Sequence, residues 1–356
     1  ANASVLKIHL EPTGDQRRTA PEALCPPSLD EISEVIEQRP GFYSQRAQRK
    51  ELVAFLREQH LKQDAPPSSL QNIEQLENQE SLCIATGQQP GLLTGPLYTP
   101  WKALSAIVLA HQLEKRFSRP FIPVFWNAGE DHDTEEMNHF TWLDRDGKPL
   151  VYRKKFENKD QPACFGERPM ESIDIHDLVG FYEKTLYDTD FSQNLKDLIR
   201  KAAQKSSTLG EFFNHLLWGL FPDSGLVMLD SSFRGYTALA KDLFQRELEQ
   251  PLENSNRLNK AGDTLKEHGL KPRMHKKEDR CSFFMVQDGI RLPVRYKEGQ
   301  FLFGDQHLET GRMKNLLEKQ PEAFSAAAAL RPVIQDAILP TAASVLGPGE
   351  WDYHLQ

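Results

Sequence analysis

The 356-residue chain has only four cysteines, and their placement excludes two common kinds of scaffold. They lie far apart and form no CxxC pair: Cys25, Cys83, Cys164 and Cys281. A disulfide framework or a structural zinc site needs cysteines that are paired or closely spaced. In a chain long enough to bury a sizeable core, these four are expected to be free thiols in a reducing cytosol.

The chain also lacks long apolar runs and an excess of positive charge. No apolar stretch approaches the roughly 20 residues that span a bilayer, and residues 1–11 do not have the charged-then-apolar order of an export signal. The net charge is −8, whereas a nucleic-acid-binding surface needs a strong basic bias. We therefore expect a cytoplasmic protein of mixed α/β structure with neither membrane nor nucleic-acid partners.

A strand–helix–strand pattern occupies residues 81–126. Ser81–Ala85 and Phe121–Trp126 are short apolar runs typical of buried strands, and a helical pattern that begins at Thr99 lies between them. Thr99 is expected to cap this helix through its hydroxyl, with Pro100 at the first helical position. Such a βαβ unit predicts a parallel sheet with a right-handed crossover, whose ligands bind beyond the carboxyl ends of the strands.

The first strand leads into a glycine-rich stretch, residues 86–102, which we call the glycine loop. Its sequence is TGQQPGLLTGPLYTPWK. Glycines let the backbone approach a bound group closely, and a helix start offers N–H donors to an anion. Lys102 lies in the first helical turn, where a cation is unfavourable unless an anion is near; the alternative is an exposed lysine beside a structural turn. The predicted ligand-binding residues of the loop are Gly87, Gln88, Gln89, Thr94, Gly95, Tyr98 and Lys102.

The second strand leads into the sequence NAGEDHDTEEMNH, residues 127–139, which we call the acidic segment. Carboxylates and imidazoles beyond a buried strand suit general acid/base catalysis or the binding of an amine. We predict Asp131, His132 and Asp133 as catalytic residues and Glu130 as a binding residue. These residue types also bind metals, but the spacing matches no compact metal motif, so no metal is predicted. The remaining alternative is a capping and salt-bridge cluster with Asp133 or Thr134 as a helix N-cap.

Two strand candidates in the second half of the chain also end in polar residues. The strand at 225–230 ends in Asp230, which is either a site residue or part of a helix cap, because two serines follow it. The strand at 341–346 leads into a second glycine turn, residues 347–350, where a glutamate at a helix start is favourable. The binding residues predicted there are Gly347, Gly349 and Glu350.

Changes of pattern along the chain predict a division into segments around one core. The predicted segments are a helical lead-in at 1–78, the first half of the core at 79–139, an inserted connecting domain at 140–223, and the second half of the core at 224–356 with a smaller insertion near 270–305.

Three stretches carry a family resemblance that covers roughly residues 80–356. They are TGQQPGLLTGPLYT at 86–99, residues 123–139 with their GEDHD core, and residues 330–353 with RP, QD, LPT and GPGE. Together they resemble the cysteine-adding enzymes of bacillithiol biosynthesis. The resemblance implies a Rossmann-like α/β fold of the nucleotidylyltransferase type, like that of class I aminoacyl-tRNA synthetases, with inserted connecting segments. In those synthetases a loop with glycine and histidine holds ATP, whereas here residues 93–96 contain no histidine, a departure from ordinary adenylate chemistry.

The resemblance implies a ligase that joins L-cysteine to the amine of glucosaminyl-malate, the last step of bacillithiol synthesis. It also implies that the full-length protein forms a homodimer through a coiled coil, and no heptad run is visible in this chain. Two alternatives stay open: an ATP-using nucleotidylyltransferase or adenylate-forming enzyme, and a non-catalytic small-molecule-binding protein. Neither GxxxxGK[ST] nor GxGxxG is present, so no cofactor is firmly predicted, and ATP or ADP rests on fold analogy.

Overall fold

The computed structural model of the chain describes residues 27–38, 48–156 and 163–356. Cys25 and part of the predicted N-terminal lead-in lie outside these residues. The other three cysteines, Cys83, Cys164 and Cys281, are buried free thiols, as the sequence predicts.

Helices and strands alternate along most of the described chain. The strands are β1 (Leu82–Gln88), β2 (Phe121–Asn127), β3 (His139–Leu143), β4 (Pro149–Arg153), β5 (Val227–Asp230), β6 (Arg280–Gln287), β7 (Ile290–Lys297), β8 (Gln300–Phe303), β9 (Gln306–Glu309), β10 (Phe324–Ala326) and β11 (Thr341–Val345). The helices are α1 (Leu29–Gln38), α2 (Arg49–Lys62), α3 (Pro67–Gln75), α4 (Tyr98–Phe117), α5 (Thr134–Met137), α6 (Ile175–Thr185), α7 (Ser192–Gln204), α8 (Leu209–Leu220), α9 (Tyr236–Leu239), α10 (Lys241–Glu249), α11 (Glu253–Glu267), α12 (Thr310–Lys319), α13 (Arg331–Ile338) and α14 (Pro348–Leu355).

A four-stranded parallel sheet in the order β11-β1-β2-β5 forms the centre of the fold. β1 pairs in parallel with β11 and with β2, and β2 pairs in parallel with β5. Every residue of β2 and β5 is buried, as expected of strands covered on both faces. Because all four strands run the same way, the segments that follow them meet at one edge. The predicted Rossmann-like α/β fold is confirmed.

The crossover helix α4 joins β1 to β2 and packs small side chains against the sheet. Ala103, Ala106 and Ala110 are fully buried, which lets the helix lie close to the strands. The predicted cap at Thr99 is wrong. α4 begins one residue earlier, and the buried Thr99 hydroxyl has no hydrogen-bond partner among the described residues. The first turn is closed by the backbone instead, since the Thr99 N–H donates to the carbonyl of Pro96 at 2.9 Å.

A helical layer with its own apolar cluster follows the acidic segment. The β3–β4 hairpin stacks Phe140 on Tyr152, and α6, α7 and α8 pack against it. The glycine loop joins this cluster through the buried Leu92. Whether residues 140–223 are a separate domain stays a prediction.

A five-stranded antiparallel sheet in the order β10-β6-β7-β8-β9 shares an apolar cluster with β2 and β5 of the parallel sheet. Its β6–β7 hairpin turns at Asp288 and Gly289, which both have positive φ, the pattern of a tight two-residue turn. The sheet extends to Ala326, beyond the insertion predicted near 270–305. Its main relevance to the site is that β7 and β10 approach the acidic segment.

Among the helices in the described parts of the chain, none combines the length and apolar character that crossing a membrane would take.

Candidate functional site

A cavity of about 700 Å³ opens at the carboxyl edge of the parallel sheet. The glycine loop, the acidic segment and the second glycine turn all contribute to its wall, together with α13. Of the residues predicted from the sequence, those that line the cavity are Gly87, Gln88, Gln89, Tyr98, Asp131, His132, Asp133, Gly347, Gly349 and Glu350. The structure therefore brings together three stretches that are far apart in the chain.

Asp131 is held in place by an arginine from α13. Arg331 donates through Nη1 and Nη2 to Oδ2 of Asp131, each at 3.1 Å. The other carboxylate oxygen accepts the backbone N–H groups of His132 at 2.7 Å and Asp133 at 3.3 Å. Burial raises the pKa of Asp131, but Arg331 and Arg291 outweigh it and hold that pKa well below its usual range. A carboxylate this acidic is a weak base, so the geometry favours an anchoring role for Asp131.

His132 lies between the cavity and the antiparallel sheet. Its ring is one-third exposed, and Nδ1 is 3.3 Å from Nη1 of Arg291. Phe284 packs against the ring at a centroid distance of 5.5 Å. Burial, followed by the positive charge of Arg291, lowers the pKa of His132. Both effects favour the neutral imidazole over the charged one.

Glu130 is fully buried beneath the cavity and does not line it in the described structure. Its Oε2 accepts hydrogen bonds from the Tyr236 hydroxyl at 2.5 Å and from Oγ of Ser325 at 2.8 Å. Its Oε1 pairs with Nε of Arg331 at 3.3 Å. Glu130 thus supports Arg331 from below, and a direct binding role for it stays a prediction.

Asp133 and Glu136 supply exposed carboxylates to the cavity wall. Asp133 precedes α5 as its N-cap residue, but its side chain makes no capping hydrogen bond. Glu136 accepts a hydrogen bond at 2.7 Å from Nε2 of Gln89, so it links the acidic segment to the glycine loop. Of the predicted catalytic residues, Asp133 is the exposed one. It is therefore better placed than Asp131 to take up a proton.

Lys102 lies behind the glycine loop and is already paired. Only 5% of its side chain is exposed, and Nζ donates to the carbonyl of Gly87, to Oε1 of Gln88 at 3.1 Å and to Oε2 of Glu350 at 2.5 Å. Burial lowers the pKa of Lys102, and Glu350 opposes that effect. The three hydrogen atoms of its ammonium group are all donated within the protein, so an anion at this position would have to displace Glu350.

Thr94 and Gly95 do not line the cavity in the described structure. Both have positive φ, and Gly91 packs so closely on Gly95 that a Cβ on Gly91 would lie 2.8 Å from the Cα of Gly95. This part of the loop is therefore a compact turn. The ligand-binding role predicted for Thr94 and Gly95 has no support in this geometry.

Asp230 is part of a buried hydrogen-bond network. One oxygen accepts from the backbone and side chain of Ser232, at 2.9 and 2.6 Å, and the other accepts from Asn127 and Asn214. Burial raises the pKa of Asp230 to about 6. Of the two readings left open for Asp230, the structure supports the capping one, because its side chain caps the turn that follows β5.

Sequence reasoning missed the two arginines that organise the acidic segment. Arg331 belongs to the RP stretch, for which the sequence predicts no role, and Arg291 lies in a strand of the antiparallel sheet. Arg291 is only 2% exposed. A buried arginine is rare without a partner, but nothing local in the sequence shows that this one is buried.

No group of three or more His, Cys, Asp or Glu side chains within residues 27–38, 48–156 and 163–356 has the arrangement that could hold a metal ion. Metal-free chemistry stays a prediction.

Comparison with known proteins identifies the family of this chain. The family described as "Bacillithiol biosynthesis BshC, N-terminal Rossmann-like domain" matches residues 26–356. The chain belongs to this family. A protein of Bacillus cytotoxicus is 34% identical over 312 residues, and proteins of Bacillus cereus and Bacillus mycoides are each 32% identical over 308 residues. All three carry the name "Putative cysteine ligase BshC".

These alignments include 86% of this chain but only 57% of each relative. The chain therefore spans little more than half the length of the relatives. Activities that belong to the whole protein are proposals for this chain.

Proposed function

We propose that this protein is a ligase that joins the carboxyl group of L-cysteine to the amine of glucosaminyl-malate. The observation that carries the proposal is the cavity at the carboxyl edge of the Rossmann-like sheet, where all three stretches of the family resemblance meet. Membership of the BshC family supplies the cysteine ligase reaction.

The charged and hydrogen-bonding groups of the cavity match the chemical groups of the two reactants. The exposed carboxylates of Asp133 and Glu136 suit an ammonium group or an attacking amine, which must lose a proton. The amides of Gln88 and Gln89 can both donate and accept hydrogen bonds, as binding a sugar or an amino acid requires. Arg331 and Asp131 form the rigid base of this wall.

The malate carboxylates of the acceptor need cationic or N–H partners. Lys102 lies behind the glycine loop as one candidate cation, and it is paired with Glu350 in this structure. We infer that a substrate carboxylate, or a phosphate if ATP is used, competes with Glu350 for this ammonium. Such competition would move the start of α14.

The direct test is to incubate the protein with cysteine and glucosaminyl-malate, with and without ATP, and to look for the amide by mass spectrometry. Product in both arms supports a ligase that does not consume ATP, and product only with ATP supports ATP-dependent activation of the carboxyl. Saturable binding of glucosaminyl-malate with no product in either arm would overturn the proposal in favour of a binding protein.

Replacing Asp133 or His132 with alanine tests the site itself. We expect the rate of ligation to fall strongly, by roughly 100-fold for His132→Ala, while the far-UV circular dichroism spectrum stays unchanged. Full activity in both variants would remove the acidic segment from the mechanism. A homodimer formed through a coiled coil, and a cytoplasmic location, stay predictions.

A further inference from the structure

Arg291 reaches the candidate site from the antiparallel sheet, and its guanidinium is fixed on several sides. Nε donates to Oγ of Ser325 at 2.8 Å, and Nη2 donates to the carbonyl of Ala326. The guanidinium carbon lies 4.0 Å from the ring centroid of Phe284, a cation–π contact. The side chain is 2% exposed, so these contacts leave it little freedom.

The remaining arm of Arg291 lies closest to His132, with Oδ1 of Asp131 farther away at 3.9 Å. Nη1 lies 3.3 Å from Nδ1 of the imidazole. A guanidinium has five N–H donors and no acceptor, so Nδ1 must be the acceptor in this contact. In a neutral imidazole, the nitrogen that does not accept carries the proton, which here is Nε2.

The charged form of His132 does not fit this contact, because both of its ring nitrogens would carry hydrogen. The charged groups that face the ring are Arg291 from β7, Arg331 from α13, and Asp131 and Asp133 from its own segment. The two arginines oppose protonation and the two aspartates favour it. Arg331 binds Oδ2 of Asp131 at 3.1 Å, and Oδ1 of Asp131 lies 3.8 Å from Nδ1 of His132, beyond hydrogen-bond distance.

The second ring nitrogen is free for a ligand. His132 lines the cavity, and Nε2 has no hydrogen-bond partner among the described residues. With Nδ1 turned toward Arg291, the nitrogen available to the cavity is the one that carries the proton.

We propose that Arg291 is a positioning residue, which holds His132 as the Nε2–H tautomer and so makes His132 a hydrogen-bond donor to the reacting carboxyl oxygen. The donor role rests on the ligase function proposed above, whereas the tautomer does not. When the amine nitrogen attacks, the C–N bond forms and the carbonyl electron pair moves onto oxygen, where the Nε2–H stabilises the negative charge. The proton of the amine goes to a carboxylate, for which Asp133 is placed. The carboxyl reacts as the neutral acid, so the oxyanion re-forms the carbonyl as the C–OH bond breaks, and the hydroxyl takes up the proton held by Asp133 and leaves as water.

The tautomer can be measured without substrate. The chain is labelled with ¹⁵N-histidine, and the signals of His132 are assigned by their absence in His132→Gln. We expect the long-range ¹H–¹⁵N pattern of the Nε2–H tautomer from pH 6.5 to pH 8. An Nδ1–H tautomer or a charged ring in the unmodified protein at pH 7 would overturn the proposal, whatever the variants do.

Variants of Arg291 test the positioning role. We expect Arg291→Met to give a mixture of tautomers and to lower kcat at least tenfold with little change in KM. Arg291→Lys should keep more of the Nε2–H tautomer and a higher kcat than Arg291→Met. Arg295→Met is the matched control, because Arg295 lies on the same strand, is exposed and pairs with Asp279. If Arg291→Met does not fold, the spectrum of the unmodified protein still decides the question. A folded Arg291→Met with unchanged His132 signals would contradict the proposal.

Variants of His132 separate a donor from a base. Glutamine keeps an N–H near the position of Nε2, whereas alanine does not. We expect His132→Ala to lose roughly 100-fold in kcat, in line with other oxyanion donors, and His132→Gln to keep at least tenfold more activity than alanine. Equal loss in both would overturn the donor role. The Nε2–H tautomer in a protein with no ligase activity would instead show that the proposed function has failed.

Discussion

The acidic segment and the glycine loop line the same cavity, but their charged groups are held in different ways. In the acidic segment, Asp131 is fixed by Arg331 at 3.1 Å, and its open neighbour Asp133 faces the cavity. In the glycine loop, Lys102 is enclosed, and Glu350 neutralises it at 2.5 Å. The acidic segment therefore exposes a charged group to a ligand, whereas the glycine loop encloses its charged group.

This difference shows what a ligand meets first. An ammonium group finds exposed carboxylates on the acidic side without any rearrangement. On the glycine-loop side, a carboxylate reaches the ammonium group of Lys102 only after Glu350 has moved. Binding an ammonium group therefore needs no rearrangement of the protein, whereas binding a carboxylate at Lys102 does. Each can be tested separately.

The largest effect is expected from Asp131→Asn. Among the residues that the structure describes, the substitution leaves Arg331 with Glu130 as its anionic partner, and breaking a buried ion pair typically costs about 3 kcal/mol or more. We expect the free energy of unfolding, measured by urea titration, to fall by about that amount and ligation to be lost. Asp133→Asn is the control, because Asp133 is exposed and its loss should change stability by less than about 0.5 kcal/mol. Equal stability of the two variants would show that Arg331 is not anchored by Asp131.

The sequence indicated where the glycine loop and the acidic segment lie, but not which ion pairs hold their charged side chains in place. Apolar runs bounded by glycine and proline predicted β1 and β2, and their strand–helix–strand order predicted the parallel sheet and its ligand-binding edge. The cap at Thr99 failed because the turn before it already begins the helix through its own backbone.

The ion pairs could not be predicted, because tertiary packing sets them. Asp131 and Arg331 are 200 positions apart, and Lys102 and Glu350 are 248 positions apart. No local pattern distinguishes Lys102 as a buried lysine with a carboxylate partner from a solvent-exposed one. The roles of Arg291 and Arg331 were missed for the same reason.

A double-mutant cycle at Lys102 and Glu350 tests the ion pair behind the glycine loop. We expect Lys102→Met and Glu350→Gln each to cost about 2 kcal/mol in unfolding free energy, less than a fully buried pair because Glu350 is 20% exposed. The double variant should cost less than the sum by about 1 kcal/mol or more. If Lys102 binds a substrate anion, Glu350→Gln should lower KM while Lys102→Met raises it. Additive stability effects would show that the pair is not coupled.

The pH dependence of the unfolding free energy distinguishes His354, which lies near Lys102, from Asp131 in the acidic segment. Burial, with a smaller contribution from Lys102, lowers the pKa of His354 to about 4. The unfolded chain binds a proton on this residue below about pH 6.5, whereas the folded chain does not until about pH 4, so stability falls as pH falls through that window. The low pKa of Asp131 acts in the same direction but only below about pH 4, where the unfolded aspartate becomes protonated.

His354→Asn should therefore flatten the decline in unfolding free energy between pH 6.5 and 4.5, by less than about 1.4 kcal/mol per pH unit. Other buried histidines contribute to the slope, since burial also lowers the pKa of His60 to about 4. The difference between the variant and the unmodified protein isolates His354. His111→Asn, at an exposed helix position, is the control. An unchanged slope in His354→Asn would mean that this histidine is not kept neutral in the folded protein.

The smallest effect is expected from the contact that joins the two regions. Nε2 of Gln89 donates to Oε2 of Glu136 at 2.7 Å in an exposed setting, so Gln89→Ala should cost less than about 1 kcal/mol in stability. Gln89→Glu should be worse than alanine, because it places a second carboxylate against Glu136. If the contact only closes the cavity wall, KM rises a few-fold in both variants and kcat is unchanged. Loss of kcat in Gln89→Ala with unchanged stability would show instead that this amide touches the reacting groups, and the glycine loop would then share the chemistry with the acidic segment.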